Sequence, residues 1–162
     1  MKKHAMNFFE RYHFRIAVTV LLLNSIGAFI YYYQKGLITI YNDSMGHLDI
    51  ARAVVDSKQP GIAQLGSVWL PMNHILDLVL IWNNWAWHSG FAGSLFSMIA
   101  YVFSAIGIYK IVNELSDNFV ASFVGLMVFA LNPNLLYLQS TPLTEPLYLV
   151  FFYFLCSFSY KV

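Results

Sequence analysis

Charged residues are scarce in this chain of 162 residues: Asp, Glu, Lys and Arg together make up 10% of it. Soluble domains carry roughly a quarter of such residues. Hydrophobic residues account for 59% of the chain and aromatic residues for 18%, and the mean hydropathy is +0.59. An ordinary soluble domain is excluded, and the composition predicts an all-α integral membrane protein.

Basic clusters and cysteine pairs are lacking too. The formal net charge is +1, and the Lys and Arg residues form no patch or stripe, so nucleic acid is not an expected partner. Cys156 is the single cysteine, which excludes an internal disulfide. In its apolar surroundings we interpret Cys156 as a small packing or lipid-facing residue.

An uncharged run from Ile16 to Gln34 predicts the first membrane span, at about Ile16–Tyr33. A signal peptide is the alternative, but the apolar run exceeds a usual h-region and no small-residue cleavage site follows. The basic residues that precede the span indicate a cytoplasmic amino terminus; these residues are Lys2, Lys3, Arg11 and Arg15.

Three further spans are predicted within a single membrane domain of residues 1–162. Pro133 ends the third of them, and Pro146 suits the first turn of the fourth. The stretch Leu135–Thr144 is expected to be an outer turn or a bent helix end, and Lys110–Asn118 a short cytoplasmic loop. The spans are Ser89–Tyr109, Phe119–Leu131 and Glu145–Tyr160.

The predicted extracytoplasmic loop, residues 34–88, is too long to be an idle connection. Two interfacial helices are expected in it, at Asp43–Ser57 and Pro71–Trp87. In the second of them, polar side chains at helical spacing form one stripe, with tryptophans at headgroup level. The stripe consists of His74, Asp77, Asn84 and His88.

A fifth span at Leu70–Trp87 is the competing interpretation. It would place Glu145 on the side of the membrane opposite Asp43. Burying Asp77 in the middle of such a span costs roughly 2.5 to 3.5 kcal/mol on insertion scales. We therefore favour the interfacial helix.

Four ionisable residues lie close together just after the first span: Asp43, His47, Asp49 and Arg52. A carboxylate at an outer membrane interface can accept a proton from a substrate. Asp43 could alternatively cap a helix by accepting a backbone N–H from Met45 or Gly46. Asp49 is expected to be a solvated helix residue.

Two longer patterns accompany these residues. The first consists of Asn42-Asp43-x-Met45-x-His47-Leu48-x-x-Ala51-Arg52, continued by Asp56-Ser57-x-x-Pro60-Gly61-x-x-Gln64-Leu65-Gly66-x-x-Trp69-Leu70-Pro71-x-x-His74. It resembles the first outer loop of polytopic GT-C glycosyltransferases, which include protein O-mannosyltransferases and bacterial relatives that use lipid-phosphate-linked sugars. The second resembles the entrance to the fourth helix in those enzymes, and it runs from Leu131-Asn-Pro-Asn134 through Ser140-Thr-Pro-Leu-Thr-Glu-Pro-Leu147.

The resemblance implies an inverting sugar transfer from a polyprenyl-phosphate-linked donor to an extracytoplasmic acceptor, in a plasma membrane that we expect to be prokaryotic. Asp43 matches the general base of these enzymes. They have more membrane helices, so we expect this chain to be an amino-terminal portion or one partner of a split enzyme, inactive alone. A non-catalytic membrane or transport-associated subunit, which uses the charged loop for docking, is the alternative.

Three residues are candidates for binding the donor. Arg52 could hold a phosphate oxygen, or form an ion pair with Asp49 or Asp56. His47 could orient Asp43, contact substrate or be structural. His74 could meet the lipid phosphate or pair with Asp77.

Glu145 is the second catalytic candidate. A carboxylate on the same side as Asp43 could complete a catalytic pair, and the two could share a divalent cation. A favourable interaction with the helix amino terminus is the alternative role of Glu145. The sequence shows no complete set of metal ligands.

Overall fold

The computed structural model describes residues 8–65, 69 and 71–159, and within these ranges it contains helices and no strand. This confirms the all-α prediction. The helices are α1 (Phe8–Gln34), α2 (Asn42–Ala53), α3 (Met72–Asp77), α4 (Asn84–His88), α5 (Phe91–Ser116), α6 (Phe119–Ala130), α7 (Pro133–Gln139) and α8 (Glu145–Ser159), with a 3₁₀ turn at Ile62–Leu65.

Two helices in the described part of the chain, α1 from Tyr12 and α5, are long and apolar enough to cross a membrane. Helices α6 and α7 meet at a 66° bend and make a third candidate if the pair is one broken span. Helix α8 is apolar but shorter over its described stretch, Glu145–Cys156. The helices support the expected membrane protein, with two or three candidate spans.

Helix α5 runs further than expected, to Ser116. The predicted loop Lys110–Asn118 is therefore wrong in its extent. Asp117 turns the chain in the left-handed region, at φ 46°, and the Asn118 side chain accepts the N–H groups of Val120 and Ala121 to begin α6. Because α5 ends at Ser116 and α6 begins at Phe119, a single capped turn replaces the loop.

The core forms around α5, which packs against α1, α6 and α8. Small residues line its inner face and permit close approach between helices, among them Ala92, Gly93, Ser94, Ser97, Ala100, Ser104 and Ala105. Tyr101 is 2% exposed, stacks on Phe129 of α6 and is part of a cluster that includes Leu21 of α1.

The break between α6 and α7 leaves the Ala130 carbonyl without its helical donor, because Pro133 ends the pattern. Two side chains supply donors: Asn24 Nδ2 at 2.8 Å and Tyr101 Oη at 2.7 Å. Asn132 then caps α7 by accepting backbone N–H groups. An interrupted helix among apolar neighbours is stable only when its backbone groups are bonded in this way.

The turn between α7 and α8 is buried as well. Ser94 Oγ donates to the Ser140 carbonyl at 2.9 Å, and Ser97 Oγ donates to the Leu143 carbonyl at 3.1 Å. A Cβ atom on Gly93 would lie 2.4 Å from Cβ of Pro142, so only glycine admits the turn this close. These contacts fix the start of α8, where Glu145 lies.

The predicted helix Pro71–Trp87 is wrong, and so is its alternative as a fifth span. Two short helices, α3 and α4, form instead, with turns between them. Arg52 Nη1 donates to the carbonyls of Ile81 and Trp82, at 2.8 and 3.3 Å. Because α2 supplies these donors, the Ile81 and Trp82 carbonyls need no helical partners.

The expected polar stripe is broken as a result. His74 and Asp77 are fully buried, whereas Asn84 and His88 are exposed. The other predicted loop helix, Asp43–Ser57, forms as α2 and ends earlier, at Ala53.

Candidate active site

Asp43 lies inside the first turn of α2, which begins at Asn42. The residue at the cap position is Tyr41, and no side chain bonds to the helix start there. The alternative that Asp43 caps the helix is therefore wrong. Its carboxylate is exposed and is left available for other contacts.

Asp43 and Glu145 line the same cavity, of about 490 Å³. Each belongs to the first turn of a helix, α2 or α8, where the aligned backbone dipoles favour a negative charge. The two side chains are 102 positions apart, and the buried turn before α8 brings them together. The remaining lining residues are Tyr41, Asn134, Tyr137, Leu138 and Leu143.

One wall of the cavity is aromatic. The ring of Tyr137 lies 6.0 Å from that of Tyr41 and 5.0 Å from that of Tyr32, measured between centroids. Tyr137 Oη donates to the Leu37 carbonyl at 2.9 Å, which fixes the ring. Flat, amphipathic walls of this kind suit a polyhydroxylated ligand, since they combine apolar faces with polar edges.

A pair of histidines lies close to the cavity but not on its wall. His47 Nδ1 and His74 Nε2 are 2.8 Å apart, and both rings are at least 98% buried. Burial lowers the pKa of His47, while the charges of Asp43 and Glu145 oppose that shift. Burial, followed by the neighbouring His47, lowers the pKa of His74 to about 4. One ring therefore donates to the other, and both are neutral at pH 7.

Asp77 follows His74 on α3 and is fully buried. Neither carboxyl oxygen has a hydrogen-bond partner, so the expected alternative pairing with His74 is not formed. Burial raises the pKa of Asp77 to about 8. This carboxyl group keeps its proton at neutral pH because the charged form would lie in an apolar environment without a partner.

Arg52 contacts other parts of the loop and is not among the cavity residues. Besides the two carbonyls of the α3–α4 turn, its guanidinium reaches Asp56 at 3.0 Å and lies 4.7 Å from the ring centroid of Trp87. The ion pair with Asp56 is one of the two expected alternatives. Asp49 is exposed, as expected, and accepts from Trp87 Nε1 at 3.0 Å.

A divalent cation would find two carboxylates on this cavity wall. No group of three or more His, Cys, Asp or Glu side chains that could hold a metal occurs in the part of the chain with described positions. Magnesium is commonly held by one or two carboxylates together with water and substrate phosphate. Asp43 and Glu145 fit that mode of binding, in which the protein supplies only part of the ligands of the metal.

The cavity also contains residues that the sequence did not single out, notably Tyr41, Asn134 and Tyr137. Tyr41 adjoins the charged segment and Asn134 belongs to the break after α6, so their positions in the sequence could have indicated that they lie at the site. Nothing in the sequence indicated Tyr137, because an aromatic residue in an apolar helix ordinarily packs in the core. No protein-family model, curated protein or solved structure matches this chain.

Proposed function

We propose that the protein is a membrane glycosyltransferase that moves a sugar from a polyprenyl-phosphate-linked donor to an acceptor outside the cytoplasm, with inversion. The observation that supports this most directly is the shared cavity, which is lined by Asp43 and Glu145. Two carboxylates beside an open, partly aromatic cavity can serve proton transfer on a sugar or an acceptor hydroxyl.

In the proposed step, Asp43 accepts the proton of the acceptor hydroxyl. The acceptor oxygen bonds to the anomeric carbon from the face opposite the phosphate, and the bond from that carbon to the phosphate oxygen breaks. The polyprenyl phosphate leaves with the electron pair. Glu145 is close enough to the same space to hold the acceptor by a hydrogen bond.

A divalent cation held by Asp43 and Glu145 would neutralise the leaving phosphate. With two carboxylates from the protein, such a cation would need substrate phosphate and water to complete its ligands. His47, His74 and Arg52 remain untested predictions as donor-binding residues. None of them lines the cavity, so the proposed step does not use them.

The proposed topology has four spans, with α8 as the fourth and the amino terminus in the cytoplasm. It places Asp43 and Glu145 on the same, outer side of the membrane, and one cavity shared by both residues is consistent with this. Reporter fusions after Ser89 and after Thr144 should both report an outer location. A cytoplasmic signal at either position would contradict the topology.

The central test is Asp43→Asn, made in membranes where the variant replaces the native chain. Removing a general base lowers rates about 10² to 10⁴-fold, so transfer of labelled sugar from lipid-linked donors should fall at least about 100-fold. Asp49→Asn is the matched control, since it removes a carboxylate from the same helix outside the cavity. Unchanged transfer by Asp43→Asn would favour the non-catalytic docking role.

A further inference from the structure

A second cavity, of about 210 Å³, lies between α3 and α8. Its walls are formed mainly by apolar side chains, and none of the described residues that line it is charged. It is smaller than the roughly 300 to 1,000 Å³ of sites that enclose a whole small molecule, so it suits one segment of a longer ligand. The lining residues are Met72, Asn73, Thr144, Leu147, Tyr148 and Phe151.

Asn73 is a buried polar residue in the wall of this otherwise apolar cavity. The side chain is 1% exposed, and neither its Nδ2 nor its Oδ1 has a hydrogen-bond partner. A buried amide without partners is costly, so native proteins nearly always satisfy it. A ligand with an oxygen acceptor, placed in the cavity, would satisfy Nδ2.

The cavity can be reached from outside the protein. Met72, Tyr148 and Phe151 line it and are each about half exposed. Phe152, also more than half exposed, shares the face of α8 that carries Tyr148, because residues three and four apart are neighbours on a helix. An apolar surface therefore leads from the cavity along α8.

The side chains on this surface favour a lipid chain over another helix. Helices associate in membranes through small residues that permit close approach, and α5 already uses such residues internally. The exposed face of α8 is bulky and aromatic instead. A phosphate group is disfavoured in the cavity, because the described lining residues include no Lys or Arg.

From these observations we infer that the cavity binds one acyl chain of a bilayer glycerophospholipid, with the ester carbonyl accepting a hydrogen bond from Asn73 Nδ2. The acyl chain lies along Leu147 and Phe151, and the phosphate of the lipid remains outside the cavity, at headgroup level. This site is separate from the carboxylate cavity and does not depend on the proposed sugar transfer.

The test compares lipids that differ only in the inferred contact. The full chain in mild detergent is titrated with dioleoyl phosphatidylcholine or with its ether-linked analogue, which lacks the carbonyl, and the rise in the melting temperature gives the affinity. We expect the ester lipid to bind about fivefold more tightly, as one net hydrogen bond allows. Equal binding of the two lipids to the native protein would overturn the inference.

Two variants refine the test. Asn73→Leu should abolish the difference between ester and ether lipid, whereas Ser104→Ala, which removes another buried unpartnered group, should preserve it. A difference that persists in Asn73→Leu would overturn the inference, as would displacement of the ester lipid by equimolar polyprenyl phosphate. The comparison on unaltered protein remains decisive if Asn73→Leu does not fold.

Discussion

Three carboxyl groups of this protein lie in two contrasting environments. Asp43 and Glu145 lie in the first turns of helices, exposed to a shared cavity. Asp77 lies nearby on α3, fully buried, without a hydrogen-bond partner and with its pKa raised to about 8. Burial on α3 therefore keeps the proton on Asp77, whereas the first turns of α2 and α8 leave Asp43 and Glu145 open to the cavity.

The contrast is tested most strongly by the second cavity carboxylate. If Asp43 and Glu145 act on one acceptor, Glu145→Gln should lower sugar transfer about 100-fold. The double variant with Asp43→Asn should lose little more than the worse single variant, because residues that act as a unit are non-additive. Rates from labelled lipid-linked donors measure this. If the double variant instead loses activity by the product of the two single losses, Asp43 and Glu145 act independently.

The buried group is tested by the pH dependence of unfolding in detergent. Unfolded Asp77 loses its proton above about 3.8, whereas the folded group keeps it to about 8. The folded state therefore binds more protons over this range, and its stability falls as the pH rises, by up to about 1.4 kcal/mol per pH unit. Asp77→Asn should abolish the loss between pH 6.5 and 8.

His74 has the opposite effect. The unfolded ring binds a proton below 6.5, and the folded ring binds one only below about 4. Stability contributed by the neutral ring is present above pH 6.5 and is lost toward pH 4, by about 3 kcal/mol in total. In the native protein the protonation of Asp77 adds stability as the pH falls and so masks the loss from His74. The loss should therefore become visible in the Asp77→Asn variant. A variant that melts equally at pH 5 and 7 would contradict the assignment.

Gly93 lies between buried Asp77 and the turn that leads to Glu145. A Cβ atom added to Gly93 would lie 2.4 Å from Cβ of Pro142 in that turn and 3.1 Å from Asp77 Oδ1. Gly93→Ala should cost about 1 to 3 kcal/mol of unfolding free energy, as overpacking usually does. Gly27→Ala is the control, since nothing lies within 4 Å of that added Cβ and alanine favours a helix. Detergent melting curves compare the two; equal stability would show that the turn yields easily.

The smallest effect is expected from a third kind of carboxylate, Asp56, whose side chain is 67% exposed in its ion pair with Arg52. Solvent screens such pairs, so Asp56→Ala should change the unfolding free energy by about 1 kcal/mol or less. Raising the salt concentration should have no larger effect on the native protein than on the variant. A loss of several kcal/mol would indicate that Asp56 helps to hold the α3–α4 turn.

The sequence predicted those helices whose ends are encoded locally. Asn132 and Pro133 mark the end of α6, and Glu145 with Pro146 marks the start of α8, because caps and prolines act on neighbouring backbone. The predicted α5 is too short because it stops before Lys110, although lysine is a good helix former and the helix continues to Ser116.

The loop was predicted less well because long-range contacts decide it. The stretch from Pro71 to Trp87 has helical spacing, but Arg52 binds two of its carbonyls from another helix. Asn83, which caps α4, was the local signal for a second helix. At the site, the charged segment and the resemblance together point to Asp43, and the helix entrance points to Glu145, whereas the pairing of His47 with His74 required the tertiary structure.

The hydrogen bond from Asn24 to the Ala130 carbonyl has a consequence for the order of biosynthesis. Its two residues are 106 positions apart, and ribosomes add about 5 to 20 residues per second. Asn24 is therefore added to the growing chain about 5 to 20 s before its acceptor residue. During that interval the Asn24 amide on α1 lacks the carbonyl that it bonds in the folded protein, so this bond forms only after α6 has been synthesised.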